Sequence, residues 1–165
     1  MVHAAGCLSD GLLAKQNAAS IRAVFAPKAD GAWFLHKHTQ EDDMSAFVLF
    51  SSLSSILGNR SSGNYASSNE WLDALARFRR SSGLTALSIQ WPTVSGVGLA
   101  TDHSIDPSLT IGPTMLKRAL FEAMRASTSA ATVLTKEYVE FIRMMSSTSA
   151  LVSELRQSSP RSNAK

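Results

Sequence analysis

Tyr65 and Asn69 stand four residues apart in "NYASSNEW", so on a helix their side chains face the same way, one turn apart. A phenol, with an ordinary pKa of about 10, is a poor acid at neutral pH. A lysine ammonium nearby can stabilise the phenolate, and a fixed serine hydroxyl can orient a substrate carbonyl. Tyr, Ser and Lys together therefore suit the delivery of a proton to an oxygen that is gaining charge. Ser52 precedes Tyr65 by 13 residues and Lys28 precedes it by 37. All four side chains can converge on one pocket if the intervening elements bring them there. Ser51 competes with Ser52 for the hydroxyl role, and spacing favours Ser52.

The elements that must do this are legible in the patterning. "MVHAAG" reads as a short buried strand running into a glycine turn. "NAASIRAVFAPKADGAWFLHKHT" has helical spacing through Ile21, Val24 and Phe25, then Ala32 and Leu35, with Trp33 and Phe34 less regular. Pro27 predicts two helical pieces meeting near Ala26 to Lys28. "SAFVLFSS" is a continuous apolar run of strand length, the pattern of a strand covered on both faces. A helix is predicted from about Tyr65 to Ser82, with Trp71, Leu72, Leu75 and Phe78 on its apolar face and Gly83 as its stop. "LTALSIQW" is the next strand, ended by Pro92.

Residues 92–111 form a Pro/Gly/Ser/Thr-rich loop long enough to act as a lid. Pro113 opens a helix with Met115, Leu116, Leu120 and Met124 as its stripe, and "ATVLT" suits a short last strand. "KEYVEFIRMM" continues as strand or helix, and 147–165 is a polar tail expected to be partly disordered. The domain is thus expected over 1–146. Alternating strands and helices predict a parallel α/β sheet, whose ligands sit at the carboxyl ends of the strands. Gly6, Ser51 with Ser52, and Trp91 with Pro92 all fall at that edge.

Composition excludes several classes. With 165 residues, 44% of them apolar, the chain can bury one core, as one domain or part of a larger one. A single cysteine, Cys7, excludes an intrachain disulfide framework and a cysteine-based zinc site and fits a reducing compartment such as the cytoplasm. No run approaches the roughly 18 apolar residues of a membrane span, and the N-terminus carries no secretory pattern. The net charge of +3 has one tight cluster, "RFRR" at 77–80, read as a solvated helix face rather than a nucleic-acid contact. In "HKH" at 36–38 the histidines point to different helix faces with no third ligand at useful spacing, so no metal is expected. His3 reads as a core or cofactor-side histidine, Trp33 and Trp71 as packing, and Cys7 as a small filler.

"VHAAG", "LSDGLL", "APKADGAW", "FVLFSS", "NYASSNEWLDALARFRR" and "SIQW", in that order, resemble the ketoreductase domain of modular polyketide synthases, within the short-chain dehydrogenase/reductase superfamily. The resemblance is close over residues 2 to 98 and looser beyond. It implies a partial Rossmann-like parallel sheet with flanking helices and NADPH-dependent reduction of a β-ketoacyl thioester on an acyl carrier protein, among other synthase domains. The ketoreductase of a multifunctional fatty acid synthase shares the same four residues and stays an alternative. By this resemblance Tyr65 protonates the ketone oxygen, Ser52 hydrogen-bonds it, Lys28 stabilises the tyrosinate and Asn69 holds a relay water. Ordinary short-chain dehydrogenases place lysine one turn after the tyrosine; this sequence has Asn69 there and Lys28 upstream.

"LSD" at 8–10 resembles the "LDD" fingerprint of B-type ketoreductases, with Ser9 for the middle aspartate and Asp10 kept as a substrate guide. Eight residues before Tyr65, where A-type enzymes have tryptophan, stands Leu57, so the resemblance implies a D-configured β-hydroxyl. Ala4, Ala5 and Gly6, with Pro92 and Thr93 after Trp91, resemble the segments that line the cofactor. The phosphate-binding G-x-G-x-x-G turn is absent, and "GVG" at 96–98 precedes no phosphate-binding helix. The expectation is a C-terminal part of the domain, lacking the N-terminal nucleotide-binding half, and a non-catalytic fragment of a truncated synthase is the rival reading.

Overall fold

Consecutive residues of one strand point into two different cores, which is why "FVLFSS" carries no polar alternation. A computed structural model describes residues 1–59, 61–96, 98, 109–126, 128–137 and 139–140. In it β2 (Val48–Ser52) sends Leu49 toward Ala32, Phe47, Leu72, Leu75 and Ala76, and sends Val48 toward Leu87, Ile89, Trp91, Ile111 and Ala123. The first core lies under α4 (Gly63–Ser81) and the second under α5 (Pro113–Arg125). Burying a side chain such as Leu72 this completely contributes about 2 kcal/mol.

Among the described residues β1 (Val2–His3), β2, β3 (Leu87–Trp91) and β6 (Ala130–Thr132) pair in parallel in the order β1-β2-β3-β6. The expected α/β architecture is therefore present. β1 is an edge strand among the described residues, however, and only half of the expectation for it holds: His3 is buried, while Val2 is 53% exposed. A separate parallel pair, β4 (Thr93–Val94) with β5 (Thr110–Ile111), fastens the two ends of the 92–111 loop side by side. The interior of that loop at 97 and 99–108, and the segments 141–146 and 147–165, lie outside the described residues. No helix among the described residues is long and apolar enough to cross a membrane.

Pro27 bends the chain as expected, by a specific route. Helix α1 (Ala18–Phe25) opens on a capping box in which Asn17 Oδ1 accepts the Ala19 and Ser20 amides and the Ser20 hydroxyl accepts the Asn17 amide. It runs through one widened π turn, Ala26–Asp30, into α2 (Gly31–Lys37) without a break. Proline has no amide hydrogen to give the carbonyl four residues back, that of Ala23. Cys7 fills the vacancy, its Sγ–H donating to Ala23 O at 3.0 Å. His3 Nε2 donates to Lys28 O at 3.1 Å inside the same turn. Cys7 is thus a backbone partner of the bulge rather than an interchangeable filler.

Helix α3 (Ser54–Leu57) follows β2 directly, and α4 begins at Gly63, two residues earlier than patterning suggests. Its buried face also differs from the predicted one. Leu72 and Leu75 are inside and Trp71 is partly so, but Phe78 is 51% exposed, and the buried set extends through Ser68, Asn69, Asp73, Ala76 and Arg79. The "RFRR" cluster is correspondingly divided. Arg77 pairs with Glu70 at the surface, whereas Arg79 is buried, its guanidinium 3.9 Å over the Phe47 ring and donating to His36 Nδ1 at 3.0 Å and Thr39 Oγ1 at 3.4 Å. A planar, weakly hydrated guanidinium tolerates an aromatic face and a neutral imidazole where a lysine would not. His38, by contrast, packs tilted against the Phe34 ring. On α5 the packed stripe is Leu116, Ala119, Leu120 and Ala123, with Met115 and Met124 exposed.

Helix α4 stops at Gly83, whose φ of 77° lets Gly83 N reach Arg80 O and Leu84 N reach Arg79 O. A methyl group at this position meets nothing, so Gly83→Ala is expected to cost only the left-handed strain, about 1 kcal/mol, read as a lowered denaturation midpoint with an unchanged slope.

Candidate active site

The site is assembled at the carboxyl edge of β2, where strand, π turn and α4 meet. Ser51 and Ser52 end β2 and diverge: Ser51 is buried and donates to Asn69 O at 3.2 Å, while Ser52 accepts the Ser54 amide and faces Tyr65. The start of α4 is fixed by hydrogen bonds to the loop after β1. Gly11 N donates to Ser61 O at 2.6 Å, the Ser62 hydroxyl donates to Asp10 Oδ1 at 2.6 Å, and Asn64 Nδ2 donates to Ser9 O at 2.9 Å. Asn64 Oδ1 then accepts the Tyr65 amide at 2.9 Å, taking the capping role that Ser62 gives up to Asp10. The helix start that carries Tyr65 is thereby fixed to a sequence-distant segment, residues 9–11.

Lys28 enters from the π turn. A π bulge turns one residue out of helical register, and such bulges are frequent where a side chain must be aimed at a site. Lys28 is 3% exposed; its Nζ donates to Phe50 O at 3.0 Å and lies 5.3 Å from the centre of the Tyr65 ring. Asn69, one turn beyond Tyr65, donates from Nδ2 to Tyr65 O at 2.8 Å, and its Oδ1 is buried without a partner among the described residues. The structure therefore brings Ser52, Tyr65, Lys28 and Asn69 together. Asp10 lies at the rim, close enough for its charge to act on Tyr65. Ala4, Ala5 and Gly6 leave β1 at the same edge, as Pro92 and Thr93 leave β3.

Electrostatics divide the labour. Burial raises the Tyr65 phenol above its ordinary pKa, the Asn69 and Ser52 side chains pull it down, and Asp10 raises it again, so the proton stays on the oxygen at neutral pH. Burial lowers the Lys28 ammonium to about 8, against the opposing attraction of Asp73 and Cys7. His3 is held below its ordinary value, first by burial, and stays neutral with its proton on Nε2, facing the Lys28 carbonyl.

The lowered lysine is a stability statement. Below about pH 8 the folded and unfolded chains both carry the proton, and the fold bears the whole cost of burying it. As pH rises from about 8 toward the ordinary 10.5, only the folded lysine has lost its proton, so the penalty lifts and stability rises across that window. Lys28→Met is accordingly expected to raise stability at pH 7 by about 2 kcal/mol, with the gain shrinking above pH 8, in urea melts run across that range. An unchanged or lowered midpoint at pH 7 would contradict the cost assigned to the buried cation.

Sequence reasoning missed Asp73, Ser55 and Asn64. Asp73 is four residues beyond Asn69 on the same helix face, and Ser88 and Gln90 alternate with Leu87, Ile89 and Trp91 in β3. Polar residues at every second position of a strand buried on both faces were the signal.

A parallel sheet with tyrosine, serine and lysine gathered at its carboxyl edge, the tyrosine on the following helix, defines a protein of the short-chain dehydrogenase/reductase class. The KR domain family matches residues 1–96. Polyketide synthase GfsB of Streptomyces halstedii is 47% identical over 103 residues, 62% of this chain and 2% of its own length. The spectinabilin polyketide synthase system protein NorB of Streptomyces orinoci is 47% identical over 98 residues, 59% of this chain and 4% of its own. Among solved structures, an A-type ketoreductase from a modular polyketide synthase superposes with a TM-score of 0.86 at 33% identity, over 94% of this chain and 35% of that one. The first ketoreductase of the tylosin polyketide synthase gives 0.77 at 34% identity, over 87% and 33%. This chain belongs to the KR domain family of polyketide synthases. It spans about a third of those solved chains and a few per cent of the curated relatives.

Proposed function

We propose that this chain carries the catalytic residues of an NADPH-dependent β-ketoacyl reductase, which converts a β-ketoacyl thioester on an acyl carrier protein to the β-hydroxyacyl thioester. The observation that carries this reading is the placing of Tyr65, half-buried with its pKa raised, beside the Lys28 cation and the Ser52 hydroxyl. NADPH, when bound, supplies the hydride. The Ser52 hydroxyl holds the ketone oxygen, and Tyr65 Oη gives its proton to that oxygen as negative charge develops there. Lys28 stabilises the tyrosinate left behind, and the unpartnered Asn69 Oδ1 accepts from the water that returns the proton.

Ala4, Ala5, Gly6, Pro92 and Thr93 line the nicotinamide. Asp10, held by Ser62, guides the acyl chain toward a D-configured β-hydroxyl, in keeping with Leu57 at the place of the A-type tryptophan. Residues 1–146 make up the C-terminal part of the domain, with 92–111 as its substrate lid. Other synthase domains are its neighbours, and the cytoplasm, where Cys7 stays reduced, is its compartment.

The phosphate-binding turn is not in this sequence, so cofactor binding by the chain itself is the experiment. In a fluorescence titration with NADPH, saturable binding supports the reading. A folded chain that shows none places the pyrophosphate contacts outside these residues and rejects reduction by this chain alone.

A further inference from the structure

Asp73 is completely buried in α4, one turn beyond Asn69. Its Oδ1 accepts the Ser88 hydroxyl, and its Oδ2 accepts the Ser55 hydroxyl at 2.8 Å and the Gln90 amide at 2.9 Å. Three side-chain donors converging on one carboxyl group suit the ionised form, which only accepts. Gln90 Oε1 in turn accepts the Thr132 hydroxyl, so the carboxylate is fixed to α3, β3 and, through Gln90, β6. No cation touches it: among the described residues the direct ion pair is Arg77 with Glu70, at the surface.

Lys28 is the complementary case, a buried ammonium whose hydrogen bond goes to a backbone carbonyl. The groups facing it are few. His3 and Cys7 approach from β1 and the loop after it, Phe50 O from β2 and Tyr65 from α4; Asp73 stands further off on α4, two turns beyond Tyr65, hydrogen-bonded to Gln90, which pairs across the sheet with Ser51, the residue after Phe50. His3 is neutral, so of these Asp73 is the one that carries a fixed opposite charge.

We propose that Asp73 is a positioning residue of the site, a hydrogen-bonded buried counter-charge that keeps Lys28 an ammonium behind the Tyr65 ring without touching it. Its catalytic meaning rests on the reductase reading, while the coupling between the two charges does not. A direct salt bridge would tie the ammonium to the carboxylate; a charge held off by Ser55, Ser88 and Gln90 leaves Lys28 free to face the tyrosine.

The test follows the chemical shift of Lys28 Cε against pH in the 165-residue chain labelled at lysine, the signal being assigned by its loss in Lys28→Met. In Asp73→Asn the Lys28 midpoint is expected to fall by roughly one pH unit, a tenfold loss of proton affinity. The new amide can be accommodated by a flip of the Gln90 amide and a turn of the Thr132 hydroxyl, and Asp73→Ser supplies a second, smaller neutral replacement. Ser55→Ala removes one donor and keeps the charge, so its Lys28 midpoint should stay at the wild-type value. A midpoint unchanged in either folded neutral variant, or displaced as far in Ser55→Ala, would overturn the proposal. No turnover enters the measurement, so its failure and that of the reductase reading are separately visible.

Discussion

Tyr65→Phe, in the chain extended to the full length of the ketoreductases it matches, should lower NADPH-dependent reduction of a β-ketoacyl thioester by about 10²–10⁴-fold. The substitution removes one oxygen and leaves the ring, so the 5.3 Å approach of Lys28 to the ring centre and the Asn64 and Asn69 bonds to the Tyr65 backbone all persist. What is lost is the proton that burial keeps on the phenol at neutral pH. Cofactor affinity is expected to be unchanged, because the residues assigned to the nicotinamide lie on the loops after β1 and β3. Retained turnover would remove Tyr65 from the chemistry; equal loss of NADPH binding would mean the substitution had damaged the fold instead.

Phe47→Ala should be the most damaging single change to stability, costing about 4 kcal/mol in denaturant titrations. Phe47 is buried in the core under α4, and its ring supports the Arg79 guanidinium at 3.9 Å. Truncation opens a cavity in that core and withdraws the aromatic face from a buried cation that has no carboxylate partner among the described residues. The companion variant Phe47→Leu keeps most of the volume but not the π face, so it should retain over half of the lost stability. A cost below about 1 kcal/mol for Phe47→Ala would mean that the core relaxes around the gap and that the guanidinium draws little from the ring.

The difference between what was readable in the sequence and what was not follows from the kind of force involved. Apolar runs and breakers report burial and backbone geometry directly, so "FVLFSS", Pro27 and Gly83 each mark a real strand, bulge and stop. The resemblance carried the site further than spacing alone, since Lys28 reaches Tyr65 only through a π turn that no periodicity describes. Where polar groups are buried, a hydrophobic pattern gives the wrong sign. Arg79 belongs to a cluster that reads as solvated, yet it lies inside because Phe47, His36 and Thr39 together satisfy it. Phe78 reads as core and is half in water, its ring edge-on to His36. Asp73 was invisible for the same reason: its partners Ser55, Ser88 and Gln90 are scattered over two other elements, and only the fold brings them together.

A reductase site of this kind must deliver a proton to the oxygen of a ketone as it is reduced. The direct measurement is NADPH consumption by the full-length domain on addition of a β-ketoacyl thioester, with the product identified by mass spectrometry. One β-hydroxyacyl thioester is expected for each NADPH oxidised, with loss of that turnover in Tyr65→Phe. A folded domain that binds NADPH and the thioester yet consumes neither would contradict it.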